Sequence, residues 1–480
     1  MRYFVFLLIV LFAGCARIPK KDLQARLSPA VPLEEPESTV FEKGDWPGRD
    51  WWFMFDDPQL TMVIKTVLEE NPTMHAAQMR AKKAIDEAFV VRSALFPHLS
   101  AGADVDWQHL SKENLYRVPP SLLPAVIYQL GIGLELSYDF DIWGKNRQRF
   151  KAALGEAKAK AAETAQTELM LSTAAASSYI DLQNSKELLA LYQSVLEKET
   201  ALYELEQMRY VSGLSDLRKV KFRAARIQDA KEQVSKSDER VVLGKHFLFT
   251  LMGQSPDSDL EMVKMSANYG EAFPLPEHLS LDLLARRPDI TVRVWEVERS
   301  AHLIQAAKAL FYPDLNLRML GGLQSLSWTR WFTADSLAGS FNPAIHLPIF
   351  VGGKLKFNLD ARVAAFEEAV YEYNQTLLHA ARDVSDKITQ VDAATVRFFE
   401  QGEVVADVGS IYDLTFARVR SGLDDQMNLL ETDIELLRSK IKQVEMNDER
   451  LKNIVSLVKA LGGGYQDHAH KQEEWAKDAS

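Results

Sequence analysis

The chain has 480 residues, 47% of them hydrophobic, and a formal net charge of −11. That length holds two to four ordinary domains or one long duplicated unit, and the composition allows a large core. The acidic balance, without any basic stripe, argues against a nucleic-acid partner.

Residues 1–14 read as an export signal. Arg2 is its charged start, Tyr3 to Phe12 its apolar core, and Ala13-Gly14-Cys15 its cleavage site. The core is too short to cross a bilayer as a helix. Cys15 is the only cysteine, so no disulfide forms within one chain. A small-small-Cys ending resembles a bacterial lipobox, in which Cys15 becomes the lipidated first residue. The alternative is a plain signal peptide with an incidental cysteine. Ala16 follows, and no Asp stands there to favour the inner membrane, so the resemblance points to the outer membrane. No later apolar run is long enough for a transmembrane helix, which leaves any crossing to strands.

Residues 15–58 are rich in Pro, Glu and Lys and read as a tether. At its end, Trp51-Trp52-Phe53-Met54-Phe55 is expected to pack on neighbouring helices. A first repeat spans 59–253. It opens with a helix over Met62 to Leu95, with Pro72 inside it, and two strands follow. Over about 98–109, Leu99, Ala101, Ala103, Val105 and Trp107 alternate with His98, Ser100, Gly102, Asp104, Asp106 and Gln108. Over about 128–142 the alternation sets Tyr128, Leu130, Ile132, Leu134, Leu136, Tyr138, Phe140 and Ile142 against Gln129, Gly131, Gly133, Glu135, Ser137, Asp139 and Asp141. Period two over such a length, with aromatics at both ends of the apolar face, predicts a strand that crosses lipid with a polar lumen behind it. A half-buried strand of a soluble sandwich is the alternative. If the polar faces point inward, Asp104, Asp106, Glu135, Asp139 and Asp141 make the lumen acidic. From Gln148 to Val211 there is no proline and one glycine, Gly155, which predicts a single very long helix. Val211-Ser212-Gly213-Leu214 turns the chain, and a second helix returns to Gly253.

A linker over 254–280 carries Pro256, Pro274 and Pro276, and the unit restarts over 281–461. Pro288 and Pro313 stand 216 residues after Pro72 and Pro97, while Gly353 and Gly422 stand 209 after Gly144 and Gly213. The first hairpin is therefore seven residues longer, and Pro119, Pro120 and Pro124 mark its loop. The second strand pair falls at about 314–326 and 339–350, and the second turn at 420–423. Val363, Val370, Leu377, Val384, Val391, Phe398, Val405, Tyr412 and Val419 form an unbroken heptad column, and the first repeat and both return helices carry similar columns. Such repeats impose coiled-coil packing. Residues 462–480 form a tail.

Four membrane strands cannot close a barrel, and lipid does not tolerate open sheet edges. Several copies must share one. Three give about 12 strands and an open lumen. The predicted fold class is mainly α with a membrane β-barrel: a duplicated unit, four strands per chain in a 12-stranded trimeric barrel, and long coiled-coil helices forming a periplasmic tunnel.

This arrangement resembles the TolC-like outer-membrane efflux family, in its lipoprotein (OprM/NodT-type) branch, over nearly the whole chain. The residues that carry the resemblance are the lipobox, Trp51-Trp52 with Phe55, Asp57, Pro58 and Leu60, Arg286-Arg287-Pro288-Asp289-Ile290, Phe311 with Pro313 and Leu315, Pro348-Ile349-Phe350 with Gly353, Arg420-Ser421-Gly422, and Leu461-Gly462-Gly463-Gly464-Tyr465. The chain departs from the family at Tyr465, usually Trp, and at Ile304-Gln305, usually Ile-Gly.

The resemblance implies a homotrimer in outer-membrane lipid that docks onto a periplasmic adaptor protein and an inner-membrane pump. It would export drugs or other small molecules passively. The alternative is the outer-membrane channel of a protein (type I) secretion system. The turns at Gly213-Leu214 and Gly422-Leu423 are implied as adaptor contacts. Counting from Gly422, the family's gate falls at Met427 and Glu431, four apart on one helix face. Threefold symmetry would make Glu431 a cation-selecting ring. The plainer reading is that Met427 is coiled-coil core and Glu431 a solvated face. Asp424 and Asp425 would add to a negative mouth, and Arg418 and Arg420 would hold a closed state by pairing across helices. No HExxH or GxSxG motif is present. Gly352-Gly353-Lys354 fails as a phosphate loop because Pro348 and Leu355 occupy its required positions. No enzyme activity, cofactor or metal is expected.

Overall fold

The computed structural model describes residues 18–19, 23–29, 40–109, 111, 126–258, 273–276 and 286–466. The signal, Cys15, the loop prolines Pro119, Pro120 and Pro124, and residues 467–480 of the tail lie outside the described residues. The chain divides into two compact units, and each takes part of both sequence repeats. One comprises Ala81–Ala159 and Arg293–Glu372 with the described residues up to Leu27; the other comprises Ser28–Arg80, Lys160–Val292 and Tyr373–Ser480.

The duplication appears as equal element lengths. After a short strand β1 (Phe41–Lys43) and helix α1 (Pro58–Glu70), helix α2 (Pro72–Ser93) has 22 residues and strand β2 (His98–His109) has 12. Strand β3 (Val126–Phe140) leads into α3 (Lys145–Val211) and α4 (Leu217–Leu251), of 67 and 35 residues. Past β4 (Phe273–Leu275), the set recurs as α5 (Pro288–Ala309), β5 (Asp314–Ser325), β6 (Leu337–His346), α6 (Lys354–Arg420) and α7 (Gln426–Ala460), with helices of 22, 67 and 35 residues and a 12-residue β5. Among the described counterparts only the second strands differ, 15 residues against 10.

The heptad columns are the packed faces. Val370, Leu377, Val384 and Val391 of α6 are buried, as are Val241 and Leu248 of α4 and Leu451 and Val458 of α7. In the second unit Val384, Val391, Val241, Leu248, Leu451 and Val458 share one core with Trp51, Trp52 and Phe55, with Leu60, Val63, Ile64 and Val67 of α1, and with Tyr179 and Ile180 of α3. Asp57 caps α1 by accepting from the backbone N–H groups of Gln59 and Leu60 at 2.9 and 3.0 Å. It also accepts from the Tyr179 hydroxyl at 3.0 Å. Burial, and secondarily the Asp57 carboxylate, push that phenol above its ordinary range. The tether is not bare. Residues 41–43 pair in parallel with 273–275, Gln24 N–H donates to the Glu367 carboxylate, and Ser28 N–H donates to Asn374 Oδ1.

Each repeat closes on itself by one device used twice. The residue before the helix-opening proline donates to the carbonyl of the last residue of that repeat's return helix. Asn71 Nδ2 donates to Leu251 O at 2.7 Å, and Arg287 Nη1 donates to Ala460 O at 2.8 Å. These carbonyls lack an intrahelical partner, so the contact satisfies an orphan acceptor. A glycine with positive φ then ends each return helix, Gly253 at 71° and Gly462 at 91°. A Cβ there would lie 2.6 Å from Glu70 O and 2.0 Å from Arg286 O respectively. Arg287 also binds Asp289 and Asp383 at 2.8 and 3.2 Å. Arg287 and Gly462, conspicuous in the sequence as motifs, are the two halves of this joint.

Candidate functional site

In the first unit, β2, β3, β5 and β6 form one antiparallel sheet in that order. Directly paired residues share a face, so the register shows whether the alternation of each strand agrees with its neighbours. It agrees except at Leu320, which stands on the polar face between Glu135 and Ser340, and at Ser325, which ends β5 opposite Leu130. One face carries Leu99, Ala101, Ala103, Val105 and Trp107, then Tyr128 to Phe140 at every second position, then Leu315, Leu317, Met319 and Leu323, then Leu337, Phe341, Pro343 and Ile345. Its large side chains are mostly exposed. The other face carries Ser100, Asp104, Asp106, Gln129, Glu135, Asp139, Asn316, Arg318, Ser340 and Asn342. Gly102, Gly133, Gly322 and Ala338 form a row across the polar face. A Cβ at Gly322 would lie 2.2 Å from Ile132 O, so two strands approach unusually closely there. Strands β2 and β6 are edges, and Pro343 sits on one of them.

Two expectations for this face are corrected. Strand β3 ends at Phe140, so Asp141 does not stand with Asp104, Asp106, Glu135 and Asp139 on the polar face of the sheet. Its carboxylate instead accepts from the backbone N–H groups of Asn146 and Arg147, both at 2.8 Å, and caps the start of α3. The polar face is also less uniformly acidic than expected, because Arg318 stands on it beside Ser137.

Aromatic residues gather at both ends of the apolar face. Near the helical corner, Tyr138 meets Phe140 edge-on at 4.8 Å, and Trp143 stacks on Tyr312 at 4.5 Å while its indole N–H donates to Pro313 O. At the opposite end Tyr128 lies 6.5 Å from Trp328. Trp328, Trp331 and Phe332 lie in the β5–β6 loop, which has no periodicity and gave no signal in the sequence.

In the second unit the two helix turns are copies. Gly213 and Gly422 have φ of 74° and 71°, with nothing within 4 Å of an added Cβ, so the backbone conformation alone calls for glycine. Leu214 N–H donates to Arg209 O and Gly213 N–H to Tyr210 O, matched by Leu423 to Arg418 and Gly422 to Val419. This is the Schellman ending of a helix. Asp216 and Asp425 then cap the return helices by accepting from Lys219 and Asn428 N–H. Leu214 and Leu423 are 72% and 68% exposed at the crests. A substitution test follows. Because Gly422 meets no neighbour, Gly422→Ala should cost only the left-handed strain of one residue, about 1 kcal/mol. Thermal unfolding followed by circular dichroism checks this.

The chemistry beside the turns has diverged. Where the first return helix has Arg218, Phe222 and Arg226, the second has Met427, Glu431 and Glu435 at the same repeat positions. Met427 is half-buried against the cluster of Leu188, Val195, Leu202, Ile434 and Ile441, and Arg209 Nη1 reaches its sulfur at 3.2 Å. Glu431 is half-exposed and accepts from Arg223 of α4. Within the chain, the cations that cross between the hairpins are others. Arg209 and Arg223 bridge the two hairpins, whereas Arg418 folds back on its own turn, 3.2 Å from Asp424, and Arg420 lies over Phe416. The reason is position: Arg418 lies in the last turn of α6 and also donates to the Leu423 carbonyl. The Asn428 amide, the Asp425 backbone N–H and Arg418 hold the Asp424 carboxyl below its ordinary range. Lys198 with Asp433 and Arg438 with Glu199 add further ties between the hairpins.

Among the described residues, no group of His, Cys, Asp and Glu is arranged to hold a metal, and no helix is long and apolar enough to cross a membrane. The family model described as "Outer membrane efflux protein" matches residues 63–254 and 279–463. The multidrug resistance outer membrane protein MdtQ of Escherichia coli O6:H1 is 29% identical over 470 residues, covering 96% of this chain and 97% of the relative. Among solved structures, the outer membrane protein VceC of Vibrio cholerae matches with a TM-score of 0.77 at 28% identity, covering 88% of this chain and all of that one. The Campylobacter jejuni CmeC outer membrane channel matches with a TM-score of 0.81 at 20% identity over 96% and 97% of the two chains, a likeness of fold.

Proposed function

The chain belongs to the outer membrane efflux protein family, and from that membership we propose that it is the outer-membrane channel of a tripartite efflux system. Three copies share one barrel, and Cys15 anchors each to lipid. The exposed turns at Gly213-Leu214 and Gly422-Leu423 dock onto a periplasmic adaptor protein, which links the channel to an inner-membrane pump. Transport through it is passive, with no enzyme chemistry and no cofactor. The observation that carries this reading is the sheet in the first unit. Apart from Leu320 and Ser325, the four strands keep polar and apolar faces in register, and among the described residues both edges are unpaired. Such a sheet is stable in lipid only as part of a closed barrel. Small-molecule efflux is favoured over protein secretion because MdtQ carries the name of a multidrug resistance protein.

The test is restoration of drug resistance in a strain lacking its own outer-membrane channel, joined to gentle electrophoresis of the purified protein. A heat-sensitive trimer and restored resistance are expected. A species that is monomeric under all gentle conditions would remove the shared barrel.

For the constriction, the proposal places Met427 and Glu431 at the gate, with Asp424 and Asp425 at its mouth. The bond from Arg223 to Glu431 supports one refinement: the carboxylate is held by a cation of the other hairpin and works as a tie as well as a charge. Glu431→Ala and Arg223→Ala should then both raise the open probability in single-channel recordings. With Glu431 half-exposed and Arg223 largely buried, the pair contributes about 1 kcal/mol, or about a fivefold shift in open population. If Glu431→Ala opens the channel and Arg223→Ala does not, the carboxylate acts by charge alone.

A further inference from the structure

The loop between β5 and β6 joins two adjacent strands, and a few polar residues would suffice for that. Instead residues 326–332 read Leu-Ser-Trp-Thr-Arg-Trp-Phe. Leu326, Trp328 and Phe332 are 61%, 57% and 71% exposed. Trp328 meets Trp331 edge-on at 5.8 Å, and Trp331 lies 5.0 Å from Phe332, so the rings form one cluster. That cluster continues the apolar face of the sheet: Trp328 lies 6.5 Å from Tyr128, and Tyr128 shares that face with Trp107, its partner in the β2–β3 register.

The loop is built rather than slack. Two short 3₁₀ turns, Trp328–Arg330 and Ala334–Ser336, shape it. Thr333 and Ser336 hydroxyls both donate to Arg330 O, at 2.8 and 2.5 Å, and Ser325 Oγ accepts from Ser327 N–H at 3.1 Å while donating to Ser327 O at 2.9 Å. A segment that satisfies its own backbone in this way tolerates a poorly hydrated environment. Exposed contiguous apolar surface marks an interaction site. Trp is the residue suited to the lipid headgroup zone, with an apolar ring and one N–H donor. Arg330, between the two tryptophans, has the long stem and charged head that reach a phosphate from that depth.

We propose that residues 326–332 form an interfacial anchor that lies in the headgroup zone of the outer leaflet and fixes the depth of the barrel at its external rim. The occupant of this surface is membrane lipid. The proposal rests on the reading of the sheet as a barrel wall, and the test separates the two. The probe is the full-length protein in vesicles of phosphatidylcholine brominated near the headgroup end of one acyl chain, with acrylamide as the aqueous quencher. Trp107, Trp143, Trp328 and Trp331 are the four tryptophans at the ends of the sheet. Replacing both Trp328 and Trp331 by Phe should therefore remove roughly half of the lipid-quenchable emission. Trp107→Phe, on the wall itself, should remove a smaller part. If the double variant keeps all its lipid-quenchable emission and loses acrylamide-quenchable emission, while Trp107→Phe still loses lipid quenching, the loop sits in water or in the lumen. The anchor is then overturned and the wall stands. If bromolipid quenches no tryptophan of the unaltered protein, both fall.

Discussion

Replacing Gly462 with alanine is expected to destabilise the folded chain by about 4 kcal/mol, more than any other single glycine substitution proposed here. Two effects add. The residue sits at φ 91°, where a side chain costs about 1–3 kcal/mol. The new Cβ would lie 2.0 Å from Arg286 O and 2.8 Å from its carbonyl carbon. Those are backbone atoms, held in place because Arg287 next door is bound to Ala460 O, Asp289 and Asp383. Relief requires pulling the start of α5 away from the end of α7, which breaks those bonds too. The related glycines supply the controls. Gly253→Ala meets Glu70 O at 2.6 Å and should be less severe, and Gly422→Ala meets nothing. Gly463→Ala would meet a side chain instead of backbone, the buried Leu169, whose Cδ1 lies 2.1 Å from the new Cβ. The order Gly462, Gly253, Gly422 in loss of thermal midpoint is the expected result. Equal losses at Gly462 and Gly422 would mean that only backbone strain matters and that the joint carries no load.

That joint shows where sequence reading works and where it stops. The offsets of 216 and 209 residues and the heptad columns are legible because they are periodic. The structure returns them as helices of equal length with those columns on the packed faces. The alternation of the strands is legible for the same reason. What escapes is contact between segments distant in sequence. Heptads say which face of a helix is apolar but not which neighbour it meets, so Arg209 and Arg223, the cations that cross between hairpins, were invisible while Arg418 and Arg420 drew notice. Period-two counting ran on through Asp141, because alternation cannot register that its carboxylate is taken by two backbone N–H groups of the next helix. The pairing of residues 41–43 with 273–275 is three residues long, and Pro274 lies inside it, so no local pattern announces it. The repeats themselves are units of sequence; the compact units of the fold cut across both.

The sheet faces yield the sharpest functional test. Leu134→Arg is expected to abolish assembly of the barrel in lipid, while Glu135→Arg, one residue on, is expected to leave assembly intact and change ion selectivity. Leu134 pairs with Ala101 on one side and Gly321 on the other. Its neighbours are small, and it is 52% exposed on the apolar face. It lies deep within β3, at about 3.3 Å per residue some 20 Å along the strand from Phe140 and farther from Val126, so an arginine there has no short route to the headgroups. A lipid-facing arginine near the midplane costs about 2–4 kcal/mol per chain, hence about 6–12 kcal/mol for three copies. Glu135 pairs with Ser100 and Leu320 on the opposite face. If that face lines the proposed lumen, an arginine there stays in water and puts a cation in place of a carboxylate in every copy, shifting selectivity toward anions. Gentle electrophoresis of outer-membrane extracts reads assembly, and reversal potentials in planar bilayers read selectivity. If Leu134→Arg assembles normally and Glu135→Arg does not, the apolar face points away from lipid, and the efflux-channel reading of the sheet is wrong in its central premise.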